Sequence, residues 1–467
     1  MFFNSLKFLL VFPVIFLIYW SMPSKWLVVR KSFLLTISYL LYMNFNPSFS
    51  LVLLWVTFIT YLGGLILSKP SVKKSFWVWV LVLLSLGPLI VFKYYNFVNE
   101  TLSSGLSVLG LRFSLPGLNW AIPIGISFFS FQAVGYLIDV YFERIKAEKN
   151  VLDYMLFVSF FPQIASGPIS KASDLIPQIK REKLFDYNQT VTGLKYLLWG
   201  MFLKVVVADR IGVYVDTVFA NYSKFSGIGC LIASILYSIQ IYGDFSGYSL
   251  MAIGLGKTLG FNLVRNFNRP YFSVSITDFW RRWHISLSQW LKDYIYIPLG
   301  GSRCSRLRNY WNIFVTFLVS GIWHGANWTF IFWGIFHGFC QMIERAFGWS
   351  KKRYHGIGRA FRIVLTFTLV TIAWVLFRSP SLWDAISFLN RFSSFSGVHF
   401  ADLQTLAHIL LAMIPLVIFE FGKEFFPDVY DKAKQIVFIR WFSYVYILAM
   451  IVLTGVHDGS SFIYVSF

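Results

Sequence analysis

The sequence predicts an all-α polytopic membrane protein, and three observations carry that class. Of the 467 residues, 57% are hydrophobic and only 13% are charged, where a soluble domain carries roughly a quarter charged residues. Mean hydropathy is +0.63. Apolar stretches near the ~20 residues that a helix needs to cross the hydrocarbon recur along the whole chain. A length that would otherwise suggest about three soluble domains therefore reads as one membrane domain, 1–467.

In order, the expected spans are 5–22, 31–46, 48–68, 75–95, 120–142, 190–210, 227–243, 308–326, 328–347, 360–378, 404–421 and 440–456. The first follows a single lysine and precedes no small-residue cleavage site, which predicts a retained helix rather than a cleaved signal. Segments 150–169 and 244–262 are apolar but interrupted by proline or glycine. They read as re-entrant pieces, which survive at membrane depth only inside protein or beside water. The gaps 348–359 and 379–403 read as loops.

Basic loops set the orientation. Lys25, Arg30 and Lys31, then Lys69, Lys73 and Lys74, then Arg144, Lys146 and Lys149, then Lys171, Lys180, Arg181 and Lys183 all face the cytoplasm if the N-terminus lies outside. Segment 265–308 joins them, with eight Lys/Arg against Asp278 and Asp293. The net charge of +20 thus follows the positive-inside rule and points to no nucleic-acid partner. Cys230, Cys304 and Cys340 have neither zinc spacing nor an even count, so no metal and no disulfide framework are expected.

An ionisable side chain inside a span is a functional-site hypothesis by default. His324 lies in Gly321-Ile-Trp-His-Gly325, and His337 in Gly334-Ile-Phe-His-Gly338. Glycines four apart let helix backbones approach closely, so each imidazole sits where lipid is excluded. A neutral imidazole there suits a general base. The plainer alternative is a histidine hydrogen-bonding a neighbouring helix.

His284 lies in Trp280-Arg281-Arg282-Trp283-His284, within a run from Asn266, Asn268 and Arg269 to Pro298 that mixes cations, amides and aromatics. That mixture suits a phosphate-bearing ligand. The competing reading is an interfacial helix whose arginines meet lipid headgroups. Asp244, in Gly243-Asp-Phe-Ser-Gly247, is either a site residue or the cap of a following helix. Gln163, between Pro162 and Pro168, reads as a group satisfying backbone freed by the break. Gly254-Leu-Gly-Lys-Thr258 lacks the first glycine of a phosphate loop, and no strand precedes it.

Further segments complete a pattern: Ser127–Gln132 with Tyr136–Tyr141, Phe160–Ile169, Gly200–Lys204 with Ala208-Asp-Arg210, Gln240–Tyr248, Asn266–Gly301, Gly321–Trp328, Trp333–Gly338 and Trp374–Arg378. Together they resemble the membrane-bound O-acyltransferases, of the bacterial alginate O-acetyltransferase type, over nearly the whole chain. Gly243 and Ser166 depart from the common pattern, at positions away from the histidines.

The resemblance implies a ring of about 11–12 transmembrane helices plus re-entrant segments around a pinched central pore, with a signature core near 120–345. It implies His324 as catalytic base and His284 as its signature companion. Trp280, Arg281, Arg282, Trp283, Asp244, Asn266, Asn268 and Arg269 would bind the donor or line the pore. Trp323, Asn327, Trp328, Gln163 and His337 would support the site, the first three as candidate oxyanion donors.

The implied reaction moves an acyl group, of which acetyl is the expected one, from a cytoplasmic thioester to hydroxyls of an exported polysaccharide. The donor is acetyl-CoA or a carrier-protein thioester, with no tightly bound cofactor. An extracytoplasmic acetyltransferase partner and the bacterial inner membrane are implied alongside. Other readings are D-alanyl transfer to teichoic acid, peptidoglycan acetylation, a structural scaffold, and a transporter or flippase. The last predicts an inverted repeat, and none is visible in the sequence.

Overall fold

A computed structural model describes residues 2–111, 113–399, 403–456 and 463. Apart from one isolated bridge between Phe225 and Val398, the regular structure among these residues is helical. The chain opens with α1 (Leu6–Ser21), α2 (Leu27–Met43), α3 (Phe49–Leu67), α4 (Lys74–Val108) and α5 (Ile126–Tyr141). Then come α6 (Val151–Ser159), α7 (Ala172–Lys180), α8 (Tyr187–Ala220) and α9 (Gly227–Thr258). Two short helices, α10 (Ile276–Arg282) and α11 (Ile285–Leu291), precede α12 (Arg306–His324), α13 (Trp328–Ala346) and α14 (Gly356–Arg378). The chain closes with α15 (Leu382–Asn390), α16 (Leu403–Phe425), α17 (Pro427–Gln435) and α18 (Val437–Thr454). Buried apolar side chains from Phe3 to Ile451 form one continuous core.

Seven of these helices are long and apolar enough to cross a membrane, and α1 and α5 are apolar but shorter. The chain is therefore a multi-pass membrane protein. The count falls below the expected 11–12 because the remaining span-like helices are short or polar. They survive because protein surrounds their polar groups. In α2, Lys31 pairs with Asp153 at 2.6 Å and Arg30 donates to the Lys183 carbonyl at 2.6 Å.

Two long helices carry widened turns with i→i+5 bonds. In α4, Pro88 cannot donate to the carbonyl of Leu84. The Trp55 indole takes that carbonyl instead, at 3.0 Å, and the turn Ile90–Tyr94 follows directly. In α8 the widened turn is Phe202–Ala208.

One expectation is corrected. Segment 244–262 is not re-entrant, because α9 runs unbroken for 32 residues. Its glycines close a helix contact rather than interrupt a helix. A Cβ on Gly247 would lie 2.7 Å from the Gly200 carbonyl, and one on Gly254 would lie 2.7 Å from that of Gly193. The seven-residue spacing puts each pair on one face, so α8 and α9 zip together backbone to backbone. Asp244 is thus mid-helix, and the cap reading falls.

Segment 150–169 is broken as expected, into α6 and the single turn Phe161–Ile164. Gln132 Nε2 donates to the freed Phe157 carbonyl at 2.5 Å, and Gln163 Nε2 donates to Gln132 Oε1 at 3.0 Å. Gap 379–403 is not all loop, since it contains α15. Residues 400–402 of that gap lie outside the described residues.

Candidate active site

The glycine motifs around the two span histidines meet each other. A Cβ on Gly321 would lie 2.4 Å from the Phe330 carbonyl, and one on Gly334 would lie 2.4 Å from that of Phe317. So α12 and α13 touch through their backbones, and the histidines flank the contact. His324 is the last residue of α12. Its ring lies 4.8 Å from Trp323, 4.8 Å from Trp333 and 5.4 Å from Phe377, edge to face in each case.

His337 sits on the far side of Trp333, ring to ring at 4.9 Å. Trp280 Nε1 donates to its Nδ1 at 3.3 Å. An indole only donates, so Nδ1 carries the lone pair and Nε2 the proton.

His284 approaches from the other side of Trp323, at 6.0 Å. It stands between α10 and α11 in the left-handed region, φ +42°, a conformation that a non-glycine residue adopts rarely. Asn266 holds it there. The Asn266 Oδ1 accepts from the Ser286 backbone N–H at 3.1 Å and from Ser286 Oγ at 2.8 Å, which fixes that atom as the oxygen. His284 Nδ1, at 3.3 Å from the same oxygen, must therefore be its protonated nitrogen. The lone pair is left on Nε2, which has no hydrogen-bond partner among the described residues. Phe245 on α9 closes the cage at 4.6 Å from the imidazole.

The three imidazoles and two indoles thus form a buried chain, His284–Trp323–His324–Trp333–His337. Trp323 is only 4% exposed, and its Nε1 has no acceptor among the described residues. It is a donor held ready beside both catalytic candidates. Asn327 and Trp328 are placed differently from the expectation. Asn327 caps α13 and spends its amide on the Pro380 carbonyl at 2.8 Å. Trp328 is 46% exposed and packs on Phe97.

Two cavities flank this chain. The larger, about 990 Å³ and called inner only after the orientation expected from the basic loops, is lined among others by Arg281, Lys292, Arg306 and Arg345. No carboxylate lines it, and none of the four cations has an ion pair among the described residues. The outer one, about 620 Å³, is lined by Phe330, Phe377, Lys93, Asp216, Arg378 and Asp384 among others. Here one ion pair forms, Arg378 with Asp216 at 2.7 Å; Tyr222 donates to Asp384 at 3.3 Å, and Lys93 donates to backbone carbonyls. Ser320 lines the inner cavity; Ala326 and Asn327 line the outer. His324 lies between them on the same stretch of chain.

The remaining expected residues divide by what they touch. Arg281 and Trp280 line the inner cavity. Arg282 and Arg269 instead converge on Glu424 of α16, at 3.2 and 2.8 Å, and lock that helix to the His284 segment. The Asn268 backbone N–H donates to the Arg282 carbonyl at 2.9 Å. Trp283 is 1% exposed and stacks on Phe279 as core. Asp244, also buried, pairs with Lys204 at 2.6 Å. Only its neighbour Phe245 reaches His284. Gln163 accepts from Ser170 at 2.9 Å and serves the break.

Sequence reasoning passed over Lys93, although a lysine inside an apolar span is flagged by the rule that found His324. Sequence reasoning reads Lys292 with the arginines that meet lipid headgroups, counts Arg306 among the basic residues of 265–308, and passes over Arg345 in the span 328–347.

Residues 38–377 match the model of MBOAT, the membrane-bound O-acyltransferase family. The chain is 38% identical over 423 residues to a probable alginate O-acetylase AlgI of Pseudomonas syringae pv. tomato, covering 90% of this chain and 80% of that protein. It is 34% identical to a peptidoglycan O-acetyltransferase of Helicobacter pylori, over 86% of this chain and 81% of that one. A teichoic acid D-alanyltransferase of Bacillus subtilis is 26% identical over 54% of this chain and 68% of its own length. The chain belongs to the membrane-bound O-acyltransferase family and is an O-acyltransferase of the multi-pass membrane type.

Proposed function

We propose that the protein moves an acetyl group from a cytoplasmic acyl thioester, through the His324 cage, to hydroxyls of an exported polysaccharide, handing it on through an extracytoplasmic partner transferase. One observation carries this reading. Within seven residues of one helix end, the chain passes from a cavity whose charged lining is all cationic to one whose lining mixes Lys93 and Arg378 with Asp216 and Asp384, with His324 between.

Free cations around a space of this size favour a phosphate-bearing donor such as acetyl-CoA or a phosphopantetheine thioester. The paired charges and phenylalanines of the outer cavity favour a neutral hydroxyl-bearing group. In the transfer, the acceptor oxygen attacks the thioester carbonyl carbon while His324 takes the hydroxyl proton. The C–S bond then breaks, and the sulfur leaves as a thiol carrying that proton. Trp323 Nε1 donates to the tetrahedral oxyanion, and His284, fixed by Asn266, holds the opposite face.

The acceptor class draws on the relatives. Two of them are named for acetylation of alginate and of peptidoglycan, and both acceptors are polysaccharides. The proposed setting is the bacterial inner membrane with the N-terminus outside; in that orientation the basic loops, and the cavity beside Arg281 and Arg306, face the cytoplasm. The test is ester-linked acetate on cell-surface polysaccharide, wild type against His324→Ala at matched membrane levels. The reading expects acetate to vanish in the variant. Unchanged acetate contradicts it.

A further inference from the structure

Helix α12 ends without the usual cap. Gly325 follows its last residue with φ −165°, in extended backbone rather than the left-handed turn that closes many helices through their own N–H groups. The last four carbonyls of a helix have no donor within it. Here three of them are taken by side chains of another span. Tyr94 donates to the Ile322 carbonyl at 2.5 Å. Lys93 Nζ donates to the Trp323 carbonyl at 3.0 Å and to the His324 carbonyl at 2.8 Å.

Lys93 reaches this point because of the backbone around it. It lies in the widened turn Ile90–Tyr94 that follows Pro88. Widened turns of this kind recur at functional sites, where they redirect the side chains beyond them. The residue is only 9% exposed and lines the outer cavity beside Ala326 and Asn327.

A lysine at membrane depth is costly even by the mildest measure. A hydroxyl or amide would cap carbonyls for less. What the long side chain adds is reach to the negative end of the helix macrodipole, and donors that clamp two consecutive residues.

We infer that Lys93 is a positioning residue for the transfer. Its ammonium fixes the backbone of Trp323 and His324, and so sets the direction of the imidazole and the indole toward the reacting groups. This rests on the reading of His324 as the base. Lys93 does not take the acceptor proton. It holds the residue that does, and couples the span Lys74–Val108 to the reacting end of α12.

Cells carrying Lys93→Met and Lys93→Ala, at membrane levels matched to wild type, are assayed for ester-linked acetate on surface polysaccharide. Ethylammonium is added to the medium in a second arm, since the small cation fits the outer cavity and the space an alanine leaves. Misplacing a reacting group by about 1 Å costs roughly a hundredfold in rate, and a loss of that order is expected in both variants. Ethylammonium should restore most of the acetate to Lys93→Ala and none to His324→Ala.

Wild-type acetate in Lys93→Met overturns the proposal. So does a loss in Lys93→Ala that resists the amine while thermal unfolding of the purified protein drops in step, because Lys93 then serves folding alone. A wild-type strain that adds no acetate at all contradicts the acetyl-transfer reading instead, and is separable from either result.

Discussion

The two cavities on either side of His324 are built from different chemistry. The inner one gathers Arg281, Lys292, Arg306 and Arg345 with no carboxylate in its lining. The outer one ties Arg378 to Asp216 and surrounds Asp384 with donors from Tyr222 and Ser381. Uncompensated like charges repel and stay together in a fold only where something of opposite sign visits them or solvent screens them. Paired charges need no visitor. The difference teaches that two cavities on either side of a buried aromatic cage can carry different electrostatic character; under the proposed function, one suits a polyanion and the other a neutral group.

The largest test removes the partition. Gly321→Leu forces a side chain into the Phe330 carbonyl and must splay α12 from α13. The expected cost is about 3 kcal/mol, at the upper end of overpacking, with acetyl transfer lost and a lowered unfolding temperature in detergent. Gly105→Leu, where a Cβ meets nothing within 4 Å, should unfold as wild type does. Equal stability of the two variants breaks the account of the helix contact.

Next comes the inner charge. The double variant Arg306→Glu/Arg345→Glu should raise KM for acetyl-CoA by roughly 10–100-fold, given the few kcal/mol that close charge pairs exchange near a protein surface. A wild-type KM in that variant removes the donor from this cavity. A smaller and related effect concerns salt. Raising ionic strength from about 0.05 to 0.5 M shortens the screening length severalfold, so donor KM should rise while acceptor dependence stays flat. The reverse pattern would exchange the roles of the cavities.

The smallest effect is expected outside. Asp384→Asn keeps its shape and loses one charge already engaged by hydroxyls. Surface polysaccharide acetate should fall only about two- to threefold, in keeping with the ~0.5 kcal/mol at the low end for one hydrogen bond. The donor KM should not move. A shift in donor KM would mean that the partition leaks.

Much of this was legible in the chain. The helices α12 and α13 lie where spans were expected, although neither is apolar enough to count among the seven crossing helices, and each glycine motif signalled a tight helix contact, which the structure shows to be the one between Gly321 and Gly334. The glycines in α9 misled, because glycine spacing signals either a broken helix or a tight one, and only a partner helix decides. Gly193 and Gly200, seven residues apart on α8, were the signal for that partner.

The division between Arg281 and Arg282 was not legible either. The two are adjacent in sequence and about 100° apart around α10, so one lines a cavity and the other meets Glu424, 142 residues further along the chain. Lys93 was hidden by its neighbours: a single lysine near the end of an apolar stretch looks like a snorkelling residue until its carbonyl partners are seen.

The most direct test of the central claim is a sidedness measurement. Sealed membrane vesicles of known orientation receive radiolabelled acetyl-CoA on one face only, and acetyl esters are counted on polysaccharide at the other. The account predicts esters only when the donor meets the face that carries Arg306 and Arg345, and none from either face in His324→Ala. Equal labelling from both faces, or labelling that survives the loss of His324, would contradict it.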